Sequence, residues 1–359
     1  MPITKGSATF AEITEQAEAW KNIIKVYNKH RESLIWMKKT GFNQVVFVGS
    51  GASLYLAQYA CHLFRDIARM PSLVFNSSQI FSTESLPFDR RLKTLVVAIS
   101  RQGESDDTNW AVSYLRRLSS EIQVLSITCS AKNSLNSLSH RQVPAIGSDD
   151  DGVLPIRSFS TILFLLSLMA GAIGGNKDFL AELSSIPKNI NIRDYHDNII
   201  KMRRLNEIKY MIFAGTGPNE ALGSYGSLLN KEMSMTTSGS FDALDFRHNH
   251  FVTAHVATLY TAIMSDRMEE EELEAMRDAA KMRSLILLLA DQFDEKVEAS
   301  VEYSVKFATG LSPYARAFHT IPCLQLLAYQ HSIAKGMNPD KPKHVVEEVR
   351  YKAVPEYIG

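Results

Sequence analysis

Short apolar runs alternate with longer amphipathic stretches over most of the chain. The run QVVFVG at 44–49 ends in a glycine-serine turn, and the helical pattern LYLAQYACHLFRDIAR follows it. A β-rich run at 94–99 enters another helical pattern after a polar turn, and a third apolar run follows at 122–130. Strands and helices that alternate at this spacing are typical of βαβ units. The pattern therefore predicts an α/β fold, in which helices cover both faces of a parallel sheet.

The same pattern occurs twice. FVGSGAS at 47–53 returns as FAGTGPN at 213–219, which is 166 residues later (213 − 47). Each copy follows an apolar run and precedes a helical pattern. The second copy continues with an acidic helix and with the run SLILLLAD at 284–291. Self-similarity of this kind indicates a duplicated unit.

We therefore expect two domains, at 40–185 and 205–335. An N-terminal helical segment at 1–39 precedes them, a connector at 186–204 joins them, and a tail at 336–359 follows. The tail begins with KGMNPDKPKH, whose glycine and prolines predict an irregular segment.

Polar loops follow two predicted strands of the first copy. One contains Ser50, Gly51 and Ser53, and the other is SRQGES at 100–105. Ligands of open parallel sheets lie beyond the carboxyl ends of the strands, where backbone N–H groups and helix N-termini favour anions. Because hydroxyls and the Arg101 guanidinium add donors, the two loops together indicate a site for a phosphate monoester.

Other interpretations of these loops are weaker. A glycine after a strand can serve only to make the turn. The first loop lacks the third glycine of the GxGxxG spacing of a dinucleotide site, and the GK[ST] ending of a Walker loop is absent.

The amino-acid composition excludes several classes of function. The 359 residues include 39 Lys and Arg against 39 Asp and Glu, so no overall charge attracts nucleic acid or an anionic membrane. The start lacks the pattern of a secretory signal, and the apolar run at 161–175 is too short for a membrane span and predicts a buried helix. Three widely spaced cysteines indicate neither disulfides nor a CxxC metal site. We expect a cytoplasmic protein with no nucleic-acid or membrane partner.

Histidines offer a metal interpretation of one loop. His248, His250 and His255 lie close together in the sequence, and two histidines on a loop can bind zinc. Zinc normally takes three or four ligands, and no cysteine or carboxylate shares the spacing. The sequence therefore predicts no metal site, and we expect no cofactor.

Three segments resemble one family. FVGSGAS, AISRQGESDDT and DGVLPIRSFSTILFLL are similar to segments of the sugar isomerase (SIS) domain, which occurs doubled in the isomerase half of glucosamine-6-phosphate synthase. The resemblance runs over nearly the whole chain. It implies two tandem SIS domains, each a flavodoxin- or Rossmann-like sandwich of a parallel sheet between helices. The residues that it implies around a sugar phosphate are Ser50, Gly51, Ser53, Ser100, Gly103, Ser105, Val153 and Ser158.

The second copy carries an implied proton-transfer pair. NKEMSMTTSGSFDALDFRHNHF resembles the family segment in which a histidine follows a glutamate by sixteen residues, here Glu232 and His248 (248 − 232 = 16). A carboxylate and an imidazole suit acid–base work because either can be tuned toward a neutral pKa. Each residue could instead be solvated or bonded locally. In the family the histidine typically reaches a neighbouring subunit's site, which implies a homodimer.

The sequence departs from the family pattern at several positions. Gln102 replaces a serine of the phosphate loop, Pro155 replaces a ligand-contacting serine, and Asn249 replaces the glycine after the histidine. Leu229 replaces a lysine of the synthase, and Glu347 aligns with its C-terminal lysine. The candidates for tail contacts near that position are Lys341, Lys343 and His344.

These features predict an enzyme that acts on an amino-sugar or ketosamine 6-phosphate, as an isomerase/deaminase or as a deglycase. Because no glutaminase domain precedes the first helical segment, we expect no internal supply of ammonia from glutamine. The loss of both synthase lysines favours the deaminase or deglycase reaction. One alternative is an aldose–ketose phosphosugar isomerase without an amine. The other is a regulator that binds sugar phosphate without catalysis, although the retained Glu232 and His248 favour an enzyme.

Overall fold

A computed structural model describes residues 5–83 and 85–355 of the chain. These residues cluster into two compact units. The first-sheet unit comprises 16–151, 155–188 and 346–355, and the second-sheet unit comprises 5–15, 152–154 and 189–345. The N-terminal helical pattern is divided into three helices, α1 (Ser7–Thr14), α2 (Gln16–Lys29) and α3 (Arg31–Thr40).

The first sheet has five parallel strands in the order β2-β1-β3-β4-β5. The strands are β1 (Gln44–Gly49), β2 (Ser72–Asn76), β3 (Thr94–Ile99), β4 (Ile122–Ile127) and β5 (Arg141–Gln142). The helices are α4 (Ala52–Asp66), α5 (Asp106–Leu118), α6 (Ser134–Leu138), α7 (Arg157–Gly174) and α8 (Lys177–Asn189). Every residue of β1 and β3 is buried, because central parallel strands are covered on both faces.

Helix α7 lies in the core of the first-sheet unit. Every residue from 158 to 171 is buried, and the Trp20 indole N–H donates to Ser160 Oγ at 3.0 Å. Within the described residues, α7 is the one helix long and apolar enough to cross a membrane, and 78% of it is buried inside the protein. The prediction of a buried helix at 161–175 is confirmed.

The second sheet also has five parallel strands, in the order β10-β9-β8-β6-β7. The strands are β6 (Tyr210–Ala214), β7 (Thr237–Phe241), β8 (Thr258–Ile263), β9 (Leu285–Ala290) and β10 (Tyr303–Lys306). The helices are α9 (Ile192–Ile199), α10 (Pro218–Ser234), α11 (Ala243–Phe246), α12 (Glu269–Lys281), α13 (Glu295–Glu298) and α14 (Pro313–Ala334).

Both sheets have the same strand order. Counted from the first strand of each sheet, the order is 2-1-3-4-5, so the chain turns to one side after the first strand and to the other after the third. Ligands of such sheets bind at this reversal, beyond the carboxyl ends of the two central strands. The reversal lies between β1 and β3 in the first sheet and between β6 and β8 in the second. The predicted α/β fold with parallel sheets is confirmed.

Candidate functional site

The turn after β1 depends on two glycines. A side chain at Gly49 would bring a Cβ to 2.7 Å from the Ser53 backbone, and Gly51 has a φ of +56°, where glycine is favoured. Helix α4 can therefore begin directly against the strand end. The Ser50 hydroxyl donates to Asp107 Oδ2 at 2.5 Å and so ties this turn to the first turn of α5.

The loop after β3, called the 100–105 loop, folds back on itself. Ser100 Oγ accepts a hydrogen bond from the Gly103 N–H at 3.1 Å, and the Gly103 carbonyl accepts one from the Leu135 N–H at 3.0 Å. Ser105 is the N-cap residue of α5, yet its hydroxyl makes no capping hydrogen bond. Because a helix N-terminus carries partial positive charge, the loop presents a hydroxyl where an anion is favoured.

Carboxylates hold the two long side chains of this loop. Gln102 Nε2 donates to the two carboxylate oxygens of Asp149 at 3.1 and 2.9 Å. The Arg101 guanidinium lies 3.6 Å from Asp150 and 3.3 Å from Glu347, and 13% of its side chain is exposed. The positive charge of Arg101 is therefore fixed near the loop by one buried and one half-exposed partner.

Asp150 occupies the N-terminal end of α7. Its carboxylate accepts hydrogen bonds from the backbone N–H groups of residues 156–158 at 2.6–3.2 Å and from the Ser158 hydroxyl. Burial raises the pKa of Asp150 to about 6, although the Ser158 hydroxyl and the Arg101 charge oppose this shift. In its ionised form this carboxylate pairs with Arg101.

The C-terminal tail lies along the same loop. Arg350 pairs with Glu104 at 3.2 Å and with Asp106 at 3.1 Å, and the Tyr351 N–H donates to Asp106 Oδ2 at 2.7 Å. Exposed pairs of this kind contribute little individually. Together, they hold the tail residues around Glu347 beside the loop.

Gly103 is constrained by its conformation and by a rigid neighbour. Its φ is +75°, and a Cβ would lie 2.3 Å from atoms of the Asn133 side chain. The Asn133 amide donates to Thr128 Oγ1 at 3.0 Å and to the Ser130 carbonyl at 2.9 Å, while its oxygen caps α6. Asn133 cannot move aside without losing these bonds.

Gly103→Ala should therefore lower the free energy of unfolding by about 2 kcal/mol or more. A left-handed conformation costs an L-residue about 1–2 kcal/mol, and the clash adds to this cost. Gly152→Ala is the control, since a Cβ added there would have open space for 4 Å around it and the φ of Gly152 is outside the left-handed region. Urea denaturation would contradict this account if both variants were equally stable.

Glu232 and His248 both belong to the second-sheet unit. Glu232 lies on α10, two residues before the helix ends at Ser234, and is half-buried. His248 is exposed in the turn after α11, where its N–H donates to the Asp245 carbonyl at 2.8 Å. Leu229, at the position of the synthase lysine, is fully buried.

The residue after His248 keeps a glycine-like conformation. Asn249 has a φ of +73°, in the left-handed region that asparagine tolerates better than most residues. The replacement of glycine by asparagine is therefore compatible with this turn. His250, a candidate metal ligand in the sequence, lies 3.4 Å from Asp245 and against the Phe241 ring.

The part of the chain that carries both polar loops matches a known family. Residues 41–172, which run from just before β1 to near the end of α7, match the family model described as the SIS domain. These residues form an SIS domain. The five-stranded parallel sheet in each unit is consistent with tandem SIS domains.

Curated proteins of similar sequence are known. The glutamine-fructose-6-phosphate aminotransferase (isomerizing) of Thermococcus kodakarensis is 23% identical over 353 residues, which cover 94% of this chain and 57% of that protein. The enzyme of the same name from Xanthomonas campestris pv. campestris is 26% identical over 321 residues, which cover 85% of this chain and 51% of that protein. The chain thus spans just over half the length of these curated relatives.

Solved structures share the fold. Glucosamine-6-phosphate deaminase from Thermotoga maritima has a TM-score of 0.75 at 22% identity, covering 96% of this chain and 99% of that one. Tagatose-6-phosphate ketose/aldose isomerase from Escherichia coli has a TM-score of 0.81 at 16% identity, and the match covers 93% of this chain and 95% of that one. The recognition of an SIS domain from the sequence is confirmed for residues 41–172.

The carboxylates around the SIS domain loops were not predicted from the sequence. Asp107, Asp149 and Asp150 hold Ser50, Gln102 and Ser158, respectively. A signal was present, because three consecutive acids at 149–151 precede an apolar helix and acidic residues are favoured at helix N-termini.

The remaining predicted ligand residues lie in the second-sheet unit. Val153 belongs to the short 152–154 segment that clusters with that unit, and Lys341, Lys343 and His344 are exposed residues of it. Their ligand contacts stay predictions.

Proposed function

We propose that the protein is a phosphosugar-processing enzyme that acts on an amino-sugar or ketosamine 6-phosphate, as an isomerase/deaminase or as a deglycase. The observation that carries this proposal is the position of two hydroxyl-bearing loops beyond β1 and β3, at the reversal of the first sheet. The SIS match over 41–172 supports it, as do relatives whose names refer to aminotransfer, deamination and isomerisation of sugar 6-phosphates.

The phosphate is assigned to the 100–105 loop. Ser105 places a hydroxyl at the N-terminus of α5, and Arg101 supplies the nearby positive charge. Ser100 supports the loop through Gly103. A bound phosphate would compete with Glu347 for Arg101, and Glu347 can be released because 53% of its side chain is exposed.

Glu232 and His248 are assigned as the acid–base pair. Isomerisation, or removal of an amine from a ketosamine, requires a proton to leave the carbon beside a carbonyl or imine and another to reach oxygen or nitrogen. A carboxylate and an imidazole can perform these transfers. The absence of the synthase lysine at Leu229 favours substrates that already carry their amine. We also propose a homodimer, because the family histidine typically serves a neighbouring subunit.

Ser100→Ala combined with Ser105→Ala should raise KM for the phosphorylated sugar by about 10- to 100-fold. A hydrogen bond to a charged group contributes about 1.5–3 kcal/mol, and the double variant removes one direct donor and one support of the loop. Steady-state kinetics on the sugar 6-phosphate measures this change.

Ser120→Ala is the matched control, because this exposed serine lies just beyond the opposite end of α5. The assignment requires its KM to stay at the wild-type value. An unchanged KM in the double variant would place the phosphate elsewhere.

A further inference from the structure

The second-sheet unit contains a cavity of about 340 Å³ to which no sequence motif points. All of its lining residues belong to this unit, and they come from β9, from the loops after β8 and β9, from α12 and α13, and from α14 and the segment before it. The cavity therefore lies at the carboxyl edge of the second sheet, where α/β sheets bind ligands. Its position corresponds to that of the 100–105 loop in the first sheet.

The charged lining of the cavity combines one buried cation with three acids. Arg316, in the first turn of α14, has a side chain that is 10% exposed, and it pairs with Asp266, whose side chain is 54% exposed. Asp291 and Glu269 complete the charged set. With all four groups ionised, the lining carries two more negative than positive charges.

Asp291 is held as an anion. Its carboxylate accepts from the Thr309 hydroxyl at 2.6 Å, from the Thr309 N–H at 2.9 Å and from the Gly310 N–H at 3.0 Å. Burial tends to raise the pKa of Asp291, but these hydrogen bonds and the Arg316 charge outweigh burial and lower it. Asp266, in contrast, is tied to Arg316 and half exposed, so a ligand can displace it at small cost.

A phosphate does not suit this edge of the second sheet. At the reversal between β6 and β8, the buried Glu272 carboxylate already accepts from the Thr216 N–H at 3.2 Å, the Thr216 hydroxyl at 2.5 Å and the Ser265 N–H at 2.7 Å. The backbone donors that would bind an anion there are therefore in use. Three further acids in the adjacent cavity would repel a dianion.

The cavity chemistry fits a zwitterion. Arg316 can receive a carboxylate in the two-pronged geometry that guanidinium favours, while Asp266, Glu269 and Asp291 can surround an ammonium group. The rest of the wall is largely apolar and includes Leu273, Phe293 and Leu311. We propose that this cavity binds a free α-amino acid with an apolar side chain, with its carboxylate on Arg316 and its ammonium among the acids.

L-Leucine and L-methionine are suitable probes for calorimetric titration of the full chain. We expect saturable binding of each amino acid at amino-acid concentrations up to about 10 mM. The two single-charge analogues of leucine, 4-methylpentanoate and 3-methylbutylamine, should each bind at least about tenfold more weakly, because each loses one charge-assisted contact. No saturable binding of either amino acid, or equal binding of an analogue, would overturn the proposal.

Variants separate this cavity from the proposed sugar site. Arg316→Lys should weaken leucine binding at least about tenfold, since lysine keeps the charge but loses the planar pair of donors. Glu269→Gln should weaken it as well, whereas Glu271→Gln, an exposed neighbour outside the lining, should not. If Arg316→Lys unfolds the protein, the proposal is tested instead by comparing leucine binding in Glu269→Gln with leucine binding in Glu271→Gln.

The Ser100→Ala, Ser105→Ala double variant should bind leucine as the wild type does. Loss of leucine binding in that double variant would assign the amino acid to the first-sheet unit and overturn the cavity assignment. The proposal does not depend on the enzymatic reaction, because binding is measured without sugar phosphate.

Discussion

Glu232→Gln should lower kcat by about 10²- to 10⁴-fold, the contribution of one positioned acid–base group. Glutamine keeps the size and much of the hydrogen bonding of the half-buried Glu232 side chain but cannot take up a proton at the pH of the reaction. Binding of the sugar phosphate should persist, because the phosphate is assigned to residues of the other unit. Turnover and ligand titration on the same preparation measure both effects.

Glu220→Gln is the matched control, because Glu220 is an exposed glutamate in the first turn of the same helix, α10. Its kcat should stay near that of the wild type. A Glu232→Gln variant with full turnover would remove Glu232 from the mechanism.

His248→Ala should reduce kcat by a similar factor, about 10²- to 10⁴-fold. His248 is exposed in the second-sheet unit, and its described backbone bond to Asp245 does not involve the ring. Removal of the imidazole should therefore leave the free energy of unfolding nearly unchanged. Kinetics together with thermal denaturation separates a chemical role from a structural one.

His250→Ala serves as the control two residues away. It removes the contact with Asp245, an exposed pair that contributes about 0–1 kcal/mol at most. Equal losses of kcat in the two histidine variants would indicate damage to the loop and would count against a specific role for His248.

Much of the fold was predictable from the sequence because central parallel strands are apolar along their whole length. The runs at 44–49 and 94–99 coincide with β1 and β3, which are buried at every position. The repeat at 213–219 predicted the second sheet in the same way. The single helical pattern at the N-terminus gave no indication of its division into three helices, since the breaks near Glu15 and His30 lack glycine and proline.

The candidate site was predictable only in part. Glycines and serines next to strand ends revealed the loops, because turn chemistry is local. The carboxylates that hold those loops come from distant positions: Asp107 follows Ser50 by 57 residues, and Asp149 follows Gln102 by 47. Such pairs depend on how strands and helices assemble, which local patterns do not specify. The same is true of the pairing of Arg101 with Glu347 in the tail.

The cavity in the second-sheet unit had no signal in the sequence. Arg316 and Asp266 are separated by 50 residues and meet only because α14 begins beside the loop after β8. Neither residue belongs to a recognisable motif. A duplicated fold can thus place different chemistry at equivalent sheet edges.

Proton exchange at the sugar carbons tests the proposed reaction class most directly. Fructose 6-phosphate, glucosamine 6-phosphate and a fructosamine 6-phosphate would each be incubated with the protein in D₂O and followed by NMR. We expect a product from at least one amine-bearing substrate, with deuterium on the carbon beside the carbonyl, and loss of both signals in Glu232→Gln. Binding of these compounds with neither product nor deuterium uptake would contradict the account and would identify the protein as a sugar-phosphate binder.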